Sequence, residues 1–286
     1  HAPRIAIITN LYRDHLNRHS TMQEYARVKA NIFRHQSKKD ALILNADDSW
    51  TPWFLSQEPA GQVWMTSLHE LSDDQQGMWF ADEGIWQWIK GTNTRVIDLE
   101  GFGLLWGQHN IANVLQAVLA AHLMGVPYAT IQKRIASLPA VAYRQEVVHR
   151  DAKLTAVNDT TATSPEAGIV AMQRWGGPTC VLIAGGTDRQ LDYRAWAKEL
   201  PQYIRRTNLI FLTGSATRKM RTALGAYGRG IRAYDTLAAA WRAALKRAGT
   251  YVTSVVLFSP AAKSFEKFKN EFDRGRQFNK LVRRML

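Results

Sequence analysis

A polar turn at residues 157–168, VNDTTATSPEAG, is the stretch of the sequence whose residue types point most directly to chemistry. The apolar residues before it are typical of a buried strand, and Asp159 opens a run of small residues that is rich in hydroxyl groups. Ser164, Pro165 and Glu166 are typical of a helix start, and the free backbone N–H groups of a helix N-terminus attract anions. The turn therefore predicts a ligand that carries a phosphate or a carboxylate.

Four further clusters of polar residues follow predicted strands. They are TNLYRDH and NADD in the first half of the chain, and AGGTDR and SPAAKS in the second half. Each cluster taken alone is more typical of a helix cap than of a catalytic group. In a parallel sheet, however, the carboxyl ends of neighbouring strands meet at one edge, and ligands bind there. The clusters therefore point to a site only as a set.

The composition is that of a globular protein in a reducing compartment. The formal net charge of +13 comes from basic residues that are dispersed along the 286 residues, so nucleic acid is not the expected partner. The most basic run, KLVRRML at the end, fits the last turn of a solvated helix. Cys180 is the single cysteine, stands in an apolar run, and is expected to be buried rather than nucleophilic. No stretch approaches the roughly 18–20 apolar residues of a membrane span, and we expect a cytoplasmic protein.

Residues 1–140 are predicted to form a first domain that begins with a strand–helix–strand unit. From about residue 61 to 106, an alternating pattern around Asp82 and Glu83 predicts antiparallel strands joined by tight turns. We place the tryptophans of this region on a half-buried sheet face rather than against a ligand base; they are Trp79, Trp86 and Trp88. The segments QHNIANVLQAVLAAHLMG and YATIQKRIASL then read as helices.

Residues 141–286 are predicted to form a second domain, with the boundary near LPAVAYR. Strands and helices alternate regularly here, from the strand KLTAVND to a last helix predicted to run from Ser264 to the end. This alternation predicts an α/β fold with a doubly wound, mainly parallel sheet that is covered on both faces.

A set of motifs in a fixed order resembles those of one enzyme family. In chain order they are NLYRDHLNRH, YARVKANIF, NADD, WGQHNIANVLQAV, AYRQEVV, VNDTTATSPEA, AGGTDR and SPAAKSFEKFKNEFDRG. From about residue 3 to its end, the chain resembles the Mur ligases. The resemblance implies the second part of a central ATP-binding domain in residues 1–140. It implies a Rossmann-like domain that binds amino acid and nucleotide in residues 141–286.

The resemblance implies an ATP-dependent amide ligase of peptidoglycan synthesis, which adds glutamate to UDP-N-acetylmuramoyl-L-alanine. ATP would phosphorylate the carboxylate of the UDP-muramoyl substrate, and the amine of glutamate would then displace phosphate through a tetrahedral intermediate. Negative charge on the transferring phosphoryl group must be offset by metal ions and cationic side chains. ATP and Mg²⁺ are therefore the implied cofactors.

The resemblance also implies roles for individual residues. His15 and a carbamylated Lys29 would bind Mg²⁺, because carbamylation gives the lysine oxygen atoms that suit a hard cation; without the family, Lys29 would read as a solvated helix lysine. Lys29, His15 and Asp159 are the implied catalytic residues. The nucleotide would be held by four residues, which are Asn110 and Asn113 at the adenine and Arg144 and Asp159 at the phosphates and ribose.

The incoming glutamate would contact Thr163, Arg189 and Ser264. Arg189 stands where the family has lysine, although a guanidinium still pairs with a carboxylate. Thr161 replaces a second family lysine, which puts the phosphate contacts and the choice of amino acid in question, and Arg13 adds positive charge beside the proposed metal site.

The chain contains no GxxxxGK[ST] phosphate loop, which the family uses to hold ATP. We therefore expect a fragment that lacks the N-terminal domain and the phosphate-loop half of the central domain, is inactive alone, and needs that missing portion as a partner. Two alternatives stay open: a related ligase for another amino acid, and a non-catalytic module that binds nucleotide or a polyanion.

Overall fold

A computed structural model of the chain describes residues 2–12, 21–89, 91–103, 107–139 and 141–286. The chain divides into two compact units, His1–Leu138 and Pro139–Leu286. Each unit contains a six-stranded sheet in which most neighbouring strands are parallel. The predicted α/β fold class is therefore confirmed.

The first unit has a sheet whose strands lie in the order of the chain. They are β1 (Ile5–Ile8), β2 (Ala41–Asn45), β3 (Gln62–Ser67), β4 (Gly77–Ala81), β5 (Gly84–Ile89) and β6 (Thr92–Asp98). The first four strands are parallel, and β4, β5 and β6 form an antiparallel meander. Asp82 and Glu83 have φ angles of 49° and 55°, the left-handed conformation of a tight hairpin turn, as predicted.

The antiparallel prediction was wrong for β3, which pairs in parallel with both of its neighbours. Residues 68–76 lead the chain back to the opposite end of the sheet before β4 begins, so no hairpin forms between β3 and β4. Most of β3 is buried, as is usual for a strand inside a parallel sheet.

Within the described residues of the first unit, four helices with defined bounds pack on the sheet. They are α1 (Met22–Ala30), α2 (Thr51–Leu55), α3 (Gln108–Leu123) and α4 (Tyr128–Ile135). Side chains alternate between the faces of a strand, so Ile43 packs with Ile111 of α3, whereas Leu44 packs in a separate cluster with Phe54 of α2. The three tryptophans pack in this second cluster, which confirms that they belong to the sheet face.

The second unit has the strand order β11-β10-β9-β12-β8-β7. The strands are β7 (Glu146–Arg150), β8 (Leu154–Asn158), β9 (Cys180–Ala184), β10 (Leu209–Leu212), β11 (Ala233–Tyr234) and β12 (Ser254–Phe258). All pairs are parallel except β7 with β8. Strand β7 was not predicted, and it joins β8 through a turn in which the Asp151 carboxylate accepts the backbone N–H groups of Lys153 and Leu154.

Helices pack on both faces of this second sheet, as predicted. They are α5 (Pro165–Trp175), α6 (Arg194–Tyr203), α7 (Ser215–Leu224), α8 (Leu237–Ala248) and α9 (Glu271–Met285), with a short 3₁₀ turn at Arg206–Asn208. Leu182 of β9 packs with Trp196 of α6 on one face, and Ile183 packs with Trp241 of α8 on the other. Carboxyl ends of parallel strands thus share one edge of the unit.

The last helix begins later than predicted. Residues 264–270 form turns, and α9 starts after Asn270, whose side chain accepts the backbone N–H of Asp273 at 2.8 Å. The capping asparagine satisfies an N–H group that would otherwise lack a partner at the helix start.

Candidate functional site

Asp159 follows β8 directly and is almost completely buried, with 3% of its surface exposed. Its carboxylate accepts hydrogen bonds from the Ser259 hydroxyl at 2.7 Å and from the backbone N–H of Gln145 at 3.1 Å. Burial, opposed by these two hydrogen bonds, raises the pKa of the Asp159 carboxyl to about 7. Asp159 therefore binds and releases a proton near neutral pH and holds two neighbouring segments together.

The backbone on either side of Arg144 is in a conformation that side chains disfavour. Tyr143 has a φ of 64° and Gln145 a φ of 47°. The buried Gln145 is held by its N–H on Asp159 and by its side-chain oxygen, which accepts from Arg174 and from Trp175, each at 3.2 Å. These contacts fix the segment, and the side chain of Arg144 is exposed from it.

Thr161 and Thr163 occupy the polar turn between Asp159 and α5. The Thr161 hydroxyl donates to the carbonyl of Tyr143 at 2.9 Å, which ties the turn to the segment that carries Arg144. Ser164 caps α5 by accepting the N–H of Ala167 at 3.4 Å, so Thr163 lies immediately outside the helix N-terminus. The predicted helix start is confirmed.

A loop at residues 259–265, the β12 loop, contacts three predicted site residues of the second unit, which are Asp159, Thr163 and Arg189. Ser259 donates to Asp159. Lys263 Nζ donates to the Thr163 hydroxyl at 3.2 Å. The loop ends with Phe265, and the centre of its ring lies 4.9 Å from the guanidinium carbon of Arg189. The predicted residue Ser264 belongs to this loop.

Gly168 allows α5 to approach the β12 loop. A Cβ atom built at Gly168 would lie 2.7 Å from the Cβ of Ala261, a distance that side chains do not adopt. Ala261 is itself fully buried with a φ of 53°, and its carbonyl accepts the hydroxyl of Tyr193 at 3.1 Å. The loop is therefore held in a strained conformation by packing and hydrogen bonding together.

The segment AGGTDR after β9 approaches the β12 loop from the other side. Gly185 and Gly186 have φ angles of 109° and 149°, and a Cβ at Gly186 would lie 2.5 Å from the carbonyl oxygen of Lys263. Thr187 and Lys263 exchange backbone hydrogen bonds at 2.8 and 3.1 Å. Gly186 is thus needed for close contact between the loops, whereas a Cβ at Gly185 would lie 2.4 Å from the carbonyl oxygen of Leu212 in β10. Arg189 follows the two glycines on the exposed side.

Ser264 is 2% exposed, and its hydroxyl oxygen has no hydrogen-bond partner within the described part of the chain. Its carbonyl, by contrast, accepts the N–H groups of Lys267 and Phe268. A buried hydroxyl without a partner is uncommon because desolvation is then uncompensated. The Ser264 hydroxyl can hydrogen-bond to a ligand oxygen.

Arg274 is fully buried and connects the polar turn to the β12 loop. Its guanidinium donates to the hydroxyl and the carbonyl of Thr160 at 2.9 and 2.8 Å, and to the carbonyls of Ala262 and Lys263 at 3.0 and 3.1 Å. Burial lowers the pKa of Arg274 to about 9, while Glu271 opposes this shift. Arg274 therefore fixes the backbone on both sides of the candidate site.

The predicted residues of the first unit are less closely connected. Lys29 is exposed on α1, and its ammonium lies 5.3 Å from the centre of the Tyr25 ring. Asn110 and Asn113 share one side of α3, where the Asn113 amide donates to the Asn110 oxygen at 3.2 Å. His15 lies outside the described residues, as does Arg13.

The two carboxylates of the NADD cluster are engaged in the fold. Asp47 accepts the Ser67 hydroxyl at 2.8 Å, and Asp48 accepts the backbone N–H of Leu11 at 2.9 Å. Within the described residues, no group of three or more His, Cys, Asp or Glu side chains is placed to hold a metal ion. The described His, Cys, Asp and Glu residues alone therefore do not form a Mg²⁺ site. Lys29 with His15 therefore stays a prediction.

Cys180 and the described helices allow two further conclusions. Burial raises the pKa of the Cys180 thiol to about 12, so it stays protonated in the core and does not act as a nucleophile, as predicted. None of the described helices combines the length and the hydropathy needed to cross a membrane.

Comparison with known proteins shows what the chain is similar to. Residues 1–121 match the Mur ligase middle domain. Over 98% of its length, the chain is 34% identical to the UDP-N-acetylmuramoylalanine--D-glutamate ligase of Roseiflexus sp.. The chain is homologous to the Mur ligases. It is also 33% identical, again over 98% of its length, to the enzyme of the same name from Symbiobacterium thermophilum. The chain spans 61% and 60% of the lengths of these two Mur ligases.

Solved Mur ligase structures share the fold. MurF from Acinetobacter baumannii aligns with a TM-score of 0.68 and 15% identity, over 97% of this chain and 60% of that one. The MurF ligase from Thermotoga maritima, solved in complex with ADP, aligns with a TM-score of 0.63 and 15% identity, over 99% and 63% of the two chains. At this identity the likeness establishes the fold of a Mur ligase and no more.

Two residues of the candidate site, Lys263 and Arg274, were not predicted from the sequence. Both lie in the motif SPAAKSFEKFKNEFDRG that helped to indicate the family. A lysine after a strand and an arginine in a charged helix are typical of solvated positions. Spacing alone does not reveal that Arg274 is buried, because α9 contacts the sheet through residues distant in sequence.

Proposed function

We propose that this chain carries the amino-acid site and part of the nucleotide site of an ATP-dependent ligase of peptidoglycan synthesis, which joins D-glutamate to UDP-N-acetylmuramoyl-L-alanine in the cytoplasm. The proposed reaction and substrates are those in the name of the two similar ligases. The single observation that best supports the amino-acid site is the contact of the β12 loop with the polar turn and with Arg189, at the carboxyl edge of a parallel sheet.

The reaction proceeds in two steps that conserve charge and atoms. A carboxylate oxygen of the muramoyl substrate attacks the terminal phosphorus of ATP, and ADP leaves. The amine of D-glutamate then attacks the carbonyl carbon of the acyl phosphate, loses a proton, and inorganic phosphate leaves as the amide forms. The chain's task in the second step is to place the glutamate amine close to that carbon, because correct orientation alone lowers the barrier by several kcal/mol.

Three residues of the second unit would hold the carboxylates of D-glutamate. The exposed guanidinium of Arg189 can pair with a carboxylate through two parallel hydrogen bonds. The buried Ser264 hydroxyl and the Thr163 hydroxyl at the start of α5 can donate to the same class of group. The helix N-terminus adds a favourable potential for an anion.

We assign nucleotide-binding roles to residues in each unit separately. In the first unit, the hydrogen-bonded pair Asn110 and Asn113 offers amide groups to the adenine. In the second unit, the exposed Arg144 would contact the phosphates. Asp159 is buried in this structure, so we assign it the task of holding the segment that carries Arg144. Mg²⁺, held by His15 and a carbamylated Lys29, would offset phosphate charge when bound.

Calorimetric titration of D-glutamate into the 286-residue chain tests the amino-acid site. Arg189→Met should weaken binding about tenfold or more, because a charge-assisted pair is lost. Arg205→Met is the matched control, since Arg205 is also exposed but precedes β10 at the opposite edge of the sheet. Equal loss with both variants, or no binding by the unaltered chain, would contradict the proposal. Stronger binding of another amino acid would favour a related ligase.

A further inference from the structure

We propose that Lys263 is a specificity-determining residue that contacts an anionic oxygen of the ligand in the second unit. The inference rests on the proposed function. It adds a cation that is not among the site residues implied by the family resemblance. Its basis is the position of the Lys263 ammonium, 3.2 Å from the Thr163 hydroxyl oxygen at the entrance to α5.

The backbone of Lys263 is fixed on both sides. Its N–H donates to the carbonyl of Thr187 at 3.1 Å, and its carbonyl accepts the N–H of Thr187 at 2.8 Å. The same carbonyl also accepts a guanidinium N–H of the buried Arg274 at 3.1 Å. A lysine whose Cα is held by three hydrogen bonds directs its flexible side chain from a defined point, so less conformational freedom is lost when it binds a ligand.

The Lys263 side chain then spans the space between two strand-end segments. It starts in the β12 loop and reaches the polar turn, at a position that is neither buried nor fully exposed. A cation placed there adds to the positive potential of the α5 N-terminus. At a partly desolvated position the attraction between an ammonium and an anion is stronger than at an open surface.

The groups around Lys263 are suited to an anion. The adjacent Ser264 offers a buried hydroxyl that has no partner in the described part of the chain. The Arg189 guanidinium lies over the ring of Phe265, two residues along the same loop. A planar guanidinium and a compact ammonium recognise different geometries, so the pair can distinguish a ligand with two anionic groups from one with a single group.

Two sources can supply the anionic oxygen: a carboxylate of the amino acid, or a phosphoryl group of the nucleotide or of released phosphate. Their shared chemistry is a negatively charged oxygen that accepts from the ammonium. Separate titrations of D-glutamate, ADP and inorganic phosphate into the 286-residue chain distinguish the two sources.

Lys263→Met and Lys263→Arg are the test variants, and Lys267→Met is the matched control. Lys267 lies in the turns that follow the β12 loop and donates to the carbonyl of Asp235 at 2.9 Å, away from Thr163. Lys263→Met should weaken binding of D-glutamate at least tenfold, Lys263→Arg should recover part of this loss, and Lys267→Met should stay within about twofold of the unaltered chain. All variants should keep a cooperative thermal transition, because the Lys263 side chain is not part of the core.

The outcomes separate the inference from the function on which it rests. Selective loss of ADP or phosphate binding in Lys263→Met supports the anion contact and assigns it to a phosphoryl group. If the unaltered chain binds D-glutamate and Lys263→Met binds every ligand equally well, the inference is wrong while the proposed function stands. If the unaltered chain binds none of the three ligands, the proposed function of the unit fails and the inference fails with it.

Discussion

The hydroxyl of Ser259 donates to the carboxylate of Asp159 across 2.7 Å, although the two residues are 100 positions apart in the sequence. This bond connects the ends of β8 and β12, which are neighbours in the sheet. It lies in the interior, where it also helps to keep the Asp159 carboxyl from an even higher pKa. The candidate site is thus built on a buried ionisable group.

The stability of the second unit should depend on pH through Asp159. Its pKa is raised from 3.8 to about 7 in the folded state, so folding favours the protonated form. The stabilisation is complete below the unfolded-state pKa and is lost as pH rises towards 7, at up to about 1.4 kcal/mol per pH unit. We expect the free energy of unfolding in urea to fall between pH 4.5 and 7 (about the window of these two pKa values). Asp159→Asn should remove this slope.

Ser259→Ala gives an independent check on the same group. The Ser259 hydroxyl lowers the pKa of Asp159, so its removal should raise that pKa further and move the loss of stability to higher pH. A Ser259→Ala profile that coincides with that of the unaltered chain would show that the hydrogen bond does not govern the titration.

Arg274 should be among the most sensitive positions for stability. Arg274→Met would leave the carbonyls of Thr160, Ala262 and Lys263 without this donor in the interior, at a cost of roughly 3 kcal/mol or more. Arg274→Lys should recover little, since an ammonium does not reproduce the guanidinium fork. Arg276→Met removes an exposed arginine from the same helix and should cost less than about 0.5 kcal/mol in urea unfolding. Similar losses for both positions would contradict the assignment.

Gly275 should tolerate no side chain. A Cβ atom there would lie 2.6 Å from both Thr160 and Tyr143, so Gly275→Ala would push α9 away from the polar turn and cost about 1–3 kcal/mol. Gly249→Ala is the contrast, because its φ of −64° suits alanine and its nearest neighbour atom is 3.4 Å away. That substitution should be neutral or stabilise by about 0.4–1 kcal/mol, as measured by thermal unfolding.

The asparagine pair on α3 should affect nucleotide binding alone. We expect Asn113→Ala to weaken ADP binding about fivefold to tenfold, in line with the loss of one or two hydrogen bonds, and to leave D-glutamate binding unchanged. Asn93→Ala, on the exposed part of β6 in the same unit, is the control. Loss of ADP binding by Asn93→Ala, or unaltered ADP binding by Asn113→Ala, would count against an adenine contact.

The sequence predicted the regular elements well because their signals are local. Apolar runs such as CVLIA and LIFL became buried parallel strands, and Ser164 and Pro165 correctly marked the start of α5. Strand β7 was missed because only part of it is apolar and it lies at the edge of the sheet. The parallel pairing of β3 depends on which strand lies beside it, which a local pattern does not contain.

The candidate site was less predictable than the fold. The strand-end clusters were visible as sequence motifs, but the contacts among them were not. Ser259 contacts Asp159, and Lys263 contacts Thr163, only because the sheet order brings these segments together. Arg274 resembles a solvated residue in the sequence and is fully buried in the structure. Its position depends on three segments that fold around it, and no pattern within α9 specifies them.

Whether the second unit binds the amino acid is tested most directly by an NMR titration of the 286-residue chain with D-glutamate. An amino-acid site at this edge of the sheet predicts saturable shifts of backbone amide signals in the polar turn, in the segment after β9, and in the β12 loop, centred on Thr163, Arg189 and Ser264. Shifts confined to another surface, such as the basic end of α9, or no saturable shift at all, would contradict it.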